Sequence, residues 1–176
     1  MTTYILGGGC FWCLDAVYRQ LRGVTDVVSG YAGGDEHYPN YYTVASGQTG
    51  HAEVVSITFD EAIIPADVIL DLFFILHNPT TLNQQGADTG PQYRSIMLAT
   101  DDQQSAAFTA AKRRAQQHWD DPIVTEITSL TAFYPAEDEH QDYFSKWPAS
   151  GYCSIVIAPK IVKARKAYAK WFKGAA

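Results

Sequence analysis

A chain of 176 residues can bury a real core without disulfides or metal as staples, and its 47% apolar and 18% charged residues are ordinary for an ordered globular protein. The formal net charge of −6, from 19 acidic against 13 basic residues, argues against a nucleic-acid binder that works by neutralising phosphate. No apolar run reaches membrane-spanning length, no leader pattern precedes the first motif, and 3 cysteines do not make a secreted disulfide framework, so one cytoplasmic domain over residues 1–176 is expected.

In chain order, Thr3 to Leu6 reads as a short strand entering Gly7-Gly8-Gly9. Phe11 to Leu21 reads as a helix, with Phe11, Leu14, Val17, Tyr18 and Leu21 at helical spacing. Val24 to Tyr31 is strand-like, residues 35 to 50 form a long polar and aromatic loop, and Glu53 to Phe59 alternates as a strand with one buried face. Asp67 to His77 is a helix stopped at Asn78-Pro79; residues 80 to 93 form a second loop, and Ser95 to Ala99 a strand. Asp101 or Asp102 caps a helix running to about Trp119, which Asp120-Asp121-Pro122 ends. Ile123 to Leu130 is read as a strand, Ala136 to Ser145 as a helix, Ile155 to Ile157 as a short strand, and Pro159 to Lys173 as the last helix. The order predicts an α+β sandwich with helices on one sheet, whose two long loops carry function.

The chemistry centres on Cys10, set between three glycines and Phe11-Trp12, with Cys13 three residues on. This composition suits an exposed, reactive sulfur beside an apolar pocket. A cysteine where a strand passes through glycines into a helix lies near unpaired N–H groups that favour thiolate. The plain alternative is a small buried hydrophobe. Phosphate binding fits poorly, because no Lys-Ser/Thr follows the glycines and the aromatics would crowd an anion. Zinc fits less well still, since Cys153 stands alone and no histidine pair follows.

Six spaced motifs carry a resemblance: Gly9-Cys10-Phe11-Trp12, Tyr31-Ala32-Gly33-Gly34, Gly47-Gln48-Thr49-Gly50-His51-Ala52-Glu53, the run from Gln85 to Ser95, His140-Gln141-Asp142-Tyr143 and Gly151-Tyr152-Cys153. Together, over residues 5 to about 157, they resemble the A-type peptide methionine sulfoxide reductases. The resemblance implies a two-layer α+β sandwich with a ferredoxin-like plait core. It also implies reduction of the S epimer of methionine sulfoxide, free or in protein.

Carried over by position, the resemblance makes Cys10 the nucleophile, Phe11 and Trp12 the methyl pocket, and Glu53 the acid. Tyr41 and Tyr93 become the hydrogen-bond partners of the sulfoxide oxygen, Asp88 a support of the substrate site, and Cys153 the resolving cysteine. Those types suit the reaction, because a soft nucleophile must face an acid across the S–O bond, and Glu53 donates near neutral pH only if burial raises its pKa. Thioredoxin or a similar dithiol would then regenerate the enzyme by exchange. The expected protein is a monomer with no metal and no bound cofactor that, on its charge and hydropathy, binds neither nucleic acid nor membrane.

The chain departs from the common pattern at Cys13, where glycine is frequent, at Asp15, where glutamate is usual, and in having no cysteine after Cys153. Cys153 is preferred to Cys13 as the resolver, with Cys13 read as a packed helix residue. His51 and His140 are read as structural, and the basic C-terminal stretch as a solvated helix face. Two rivals remain: a Cys-x-x-Cys thiol-disulfide oxidoreductase, which would not need Glu53, Tyr41 and Tyr93, and a non-catalytic module for oxidised-methionine peptides, which would not need Cys10.

Overall fold

In β1 (Thr2–Gly7) side chains alternate, so Tyr4 and Leu6 enter the main apolar core while Ile5 points to the opposite face of the sheet. The computed structural model describes residues 1–174, and the last two positions of the expected 1–176 unit lie outside the described residues. The elements that follow are α1 (Phe11–Tyr18), β2 (Val24–Ala32), α2 (Tyr41–Ala45), β3 (Ala52–Phe59) and α3 (Ala66–Leu76). Next come a small hairpin of β4 (Gln84–Gln85) and β5 (Asp88–Thr89), then β6 (Ile96–Ala99), α4 (Asp102–Gln116), β7 (Glu126–Ser129) and β8 (Phe133–Pro135). Helices α5 (Tyr143–Lys146) and α6 (Ala158–Tyr168) complete the order.

Six strands form one sheet in the order β7-β6-β1-β3-β2-β8, antiparallel except for the parallel β6–β7 pair. Helices α1, α3, α4 and α6 send their apolar residues into the same main core, so they cover one face of that sheet. The α+β expectation is met. The other face is not bare: Ile5, Ala52, Val54, Ile96 and Leu98 form a second small cluster under Leu130 and Phe133. Strand β3 is therefore buried on both faces, where the sequence pattern predicts one.

Several boundaries differ from expectation for identifiable reasons. Helix α1 stops at Tyr18 rather than Leu21, because residues 20 to 22 turn away to bond the C-terminal segment: Arg22 N–H donates to Trp171 O at 2.7 Å and Lys173 N–H to Gln20 O at 2.8 Å. Asp101 caps α4 as expected, accepting from Gln104 N at 2.8 Å. Of the strand expected over Ile123 to Leu130, only Glu126–Ser129 pairs, since β6 offers four partners. The single helix expected over Ala136 to Ser145 is instead a 3₁₀ turn and the short α5, broken at Asp142 with φ 52°. The Ile155 to Ile157 strand is absent: Cys153–Ile157 is a π-helical turn running into α6, with Cys153, Ile157, Ile161 and Ala164 buried on one side. Both long loops contain structure, α2 in the first and the β4–β5 hairpin in the second.

Candidate active site

The turn between β1 and α1 is built by what its glycines allow to approach. A Cβ at Gly8 would stand 2.8 Å from the His77 ring, and one at Gly9, where φ is 86°, would stand 2.7 Å from Gln85 Cγ. His77 bridges Phe73 O and Ser95 Oγ and is kept neutral by burial, which pulls its pKa down to about 3. Gln85 bonds both backbone groups of Asn78, so the second loop is clamped over the glycine turn. From below, Asp15, fully buried, accepts from Arg19 Nε at 2.8 Å and Ser29 Oγ at 3.3 Å and ties α1 to β2.

Cys10 is the N-cap residue of α1, and its sulfur faces Glu53. Strand alternation turns Glu53 to the helix side of β3, where it is 2% exposed and its Oε1 accepts the Phe11 N–H at 3.1 Å. Burial pushes the Glu53 carboxyl up to about 8, against smaller lowering effects of the Phe11 N–H and the Cys10 thiol. The acid is therefore protonated at neutral pH.

Cys10 itself corrects two expectations. It is buried at 8% exposure, not exposed. Its pKa is raised well above that of a free thiol, by burial first and then by Glu53 and Cys13. The helix terminus does lower it, through the Trp12 N–H, but desolvation wins. The resting pair is thus a neutral thiol beside a neutral acid.

Aromatic rings wall the site. Trp12 stacks on Tyr143 with centroids 3.7 Å apart at 6°, and donates its Nε1–H to His140 Nδ1 at 3.3 Å. Burial lowers the His140 pKa, and the Trp12 N–H makes Nδ1 the acceptor nitrogen of its ring. Tyr41 also stacks on His140, with centroids 4.5 Å apart, and Phe11 lies 5.6 Å from the same ring. Glu137 anchors this wall: its carboxylate accepts from Tyr31 OH at 3.0 Å and from Tyr41 N at 3.1 Å. Tyr41 and Tyr93 both have raised pKa values, by burial first and then by the common influence of Glu53, Asp88 and Cys10. Neither hydroxyl has a protein hydrogen bond among the described residues.

The remaining candidates divide. Asp88 Oδ2 accepts from Tyr152 OH at 3.1 Å, and the same hydroxyl lies 3.8 Å from Cys13 Sγ. All three cysteines are free and buried, with Cys153 fully so in the π turn next to Tyr152. His51 stands apart, spanning Gly34 N and Glu36 O, while His140 is the hinge of the aromatic wall. Tyr152, Tyr143 and Glu137 have no role in the sequence reading, although the first two lie inside motifs quoted for the resemblance.

Comparison with known proteins agrees with this geometry. The family described as "Peptide methionine sulfoxide reductase" matches residues 2–172. A relative from Paenarthrobacter aurescens, "Peptide methionine sulfoxide reductase MsrA", is 58% identical over 171 residues, 97% of this chain and 98% of its own. Among solved structures, reduced Mxr1 from Saccharomyces cerevisiae superposes with a TM-score of 0.82 at 35% identity, covering 86% of this chain and 88% of its own. Mxr1 in complex with Trx2 superposes at 0.58 with 26% identity over 81% of this chain and 84% of its own. The chain belongs to the peptide methionine sulfoxide reductase family.

Proposed function

We propose that this protein, read as one catalytic domain with a plait-like inner sheet β6-β1-β3-β2, reduces the S epimer of methionine sulfoxide to methionine. The observation that carries the proposal is the buried pair of Cys10 and protonated Glu53 beneath an aromatic wall. The substrate methyl group sits against Phe11 and Trp12, and its oxygen takes the unoccupied hydroxyls of Tyr41 and Tyr93 as donors. Asp88 holds Tyr152 at the edge of the site.

The step balances without a cofactor. Glu53 gives its proton to the sulfoxide oxygen as Cys10 Sγ attacks at sulfur, and the thiol proton returns to Glu53. The attack forms a bond between Cys10 Sγ and the substrate sulfur; as the protonated oxygen passes to Cys10 Sγ, both that bond and the substrate S–O bond break, leaving Cys10 as the sulfenic acid and releasing methionine. A second thiol then attacks Cys10 Sγ, forming a disulfide and releasing water, and an external dithiol reduces it by exchange. Thioredoxin is the proposed reductant, in line with the Mxr1 complex. The test is turnover of each epimer of a methionine sulfoxide peptide with dithiothreitol. Methionine from the S epimer alone is expected, and no turnover of that epimer sinks the reading.

Cys153 is the proposed resolver. Its neighbour Tyr152 packs edge-on against Trp12 at 5.6 Å and reaches Cys13, so the 151–153 segment lies against the turn that bears Cys10. A π turn at this point is a local irregularity of the kind that recurs at functional sites. One turnover without reductant, followed by acid quench, alkylation and peptide mapping, is expected to give a Cys10–Cys153 bond. A Cys10–Cys13 bond, favoured by their position on one helical turn, would reassign the role.

Trp12→Ala removes the ring stacked on Tyr143 and opens the pocket. Loss of about 1.5–3 kcal/mol of apolar contact lowers kcat/KM for a sulfoxide peptide by about 10–100-fold, mostly through KM. An unchanged KM would remove Trp12 from the methyl pocket.

A further inference from the structure

Helix α6 and the π turn that leads into it bury one stripe and present another. Ile157, Ile161 and Ala164 enter the core, whereas Ile155 at 76% and Val162 at 66% exposure lie with Pro159, Lys163 and Lys166 on the solvent side. Spacings of four, three, one and three residues from Ile155 to Lys166 place these five side chains along one exposed line, apolar toward Cys153 and basic away from it. Six basic residues and no acid occupy the last 17 positions, and all 19 acids of the chain precede them. Among the described residues no carboxylate forms an ion pair with Lys163 or Lys166, in contrast to Arg114, which pairs with Asp71 at 2.8 Å.

We propose that this stripe of α6 is the docking surface for the protein reductant, a dithiol protein with acidic residues around its reactive pair; this rests on the catalytic reading above. Two features choose the occupant. Charge is the first: a chain of net charge −6 repels an acidic partner except at this basic helix, which steers the encounter there. Position is the second: the stripe starts two residues beyond Cys153, on the outer side of the π turn whose inner side buries that sulfur, so a partner seated on Ile155 and Val162 lies against the segment that carries the proposed resolving cysteine. Exchange then moves the disulfide to the partner: the partner's thiolate bonds one enzyme sulfur, the enzyme disulfide breaks, and the partner's second thiol releases it, leaving the enzyme reduced and the partner oxidised.

The test compares two reductants, dithiothreitol and a thioredoxin with acids around its Cys-x-x-Cys. Reversing charge in the double variant Lys163→Glu/Lys166→Glu is expected to raise KM for thioredoxin about tenfold, with turnover by dithiothreitol within about twofold of wild type. The paired change Ile155→Ser/Val162→Ser is expected to act in the same direction. Added salt lowers wild-type kcat/KM for thioredoxin and has less effect on the charge-reversed variant. An unchanged thioredoxin KM in both variants overturns the docking assignment, and so does a loss shared equally by both reductants. Absence of wild-type turnover with dithiothreitol overturns the catalytic reading on which the assignment rests.

Discussion

Cys10→Ser abolishes methionine formation, a loss of at least about 10⁴-fold. A hydroxyl is a far poorer nucleophile toward sulfur and cannot take oxygen from the sulfoxide, so neither the first step nor a reductant-independent burst survives. The side chain is small and 8% exposed, and its backbone caps α1 whatever the sulfur does, so circular dichroism and thermal unfolding stay close to wild type. Measured methionine per enzyme in a single turnover is the check; a residual burst would mean that another group takes the oxygen. The raised Cys10 pKa adds a second expectation. Iodoacetamide reacts slowly with Cys10 at pH 7, because the buried thiol is neutral until a sulfoxide supplies an acceptor for the proton held by Glu53.

Glu53→Gln lowers the rate of the chemical step by about 10²–10⁴-fold, the range of a lost general acid. Glutamine can still accept the Phe11 N–H, so the turn and pocket persist while the transferable proton is gone. Stability moves the other way. With a folded pKa of about 8 against an ordinary 4.5, wild-type Glu53 binds a proton in the folded chain that the unfolded chain has released. Stability therefore falls as pH rises from about 4.5 to about 8, by on the order of a few kcal/mol, and levels off above. The variant lacks this loss. It should unfold at higher temperature than wild type near pH 8 and not below pH 4.5. A slow variant with no such stability gain would locate its effect outside carboxyl burial.

The strands and the glycine-to-helix turn were legible because alternation and Gly-Cys-aromatic spacing are local signals, and β1, β2, β3 and α3 form within a residue or so of expectation. The segment Ile155-Val156-Ile157 misleads, since three β-branched residues favour strand, yet docking of Ile157, Ile161 and Ala164 on the core continues α6 backward through a π turn. Cys10 misleads for a related reason. Its immediate neighbours suggest exposure, but Tyr152, distant in sequence, reaches its sulfur, and Gln85 packs against Gly9 beside it. The raised Glu53 pKa follows from strand register and was foreseeable only as a requirement of the chemistry. Tyr152 bridges Asp88 and Cys13 across long sequence separations, and nothing in its neighbourhood announces this.

The most direct test of the oxygen-transfer account is the pH dependence of single-turnover methionine formation from an S-sulfoxide peptide, in wild type and Glu53→Gln. With protonated Glu53 as the acid, the wild-type rate is high at neutral pH and falls about tenfold per pH unit above about 8, and the variant is slow with no such fall. A wild-type rate that climbs through pH 8 and 9 with thiol ionisation, matched by the variant, would contradict it.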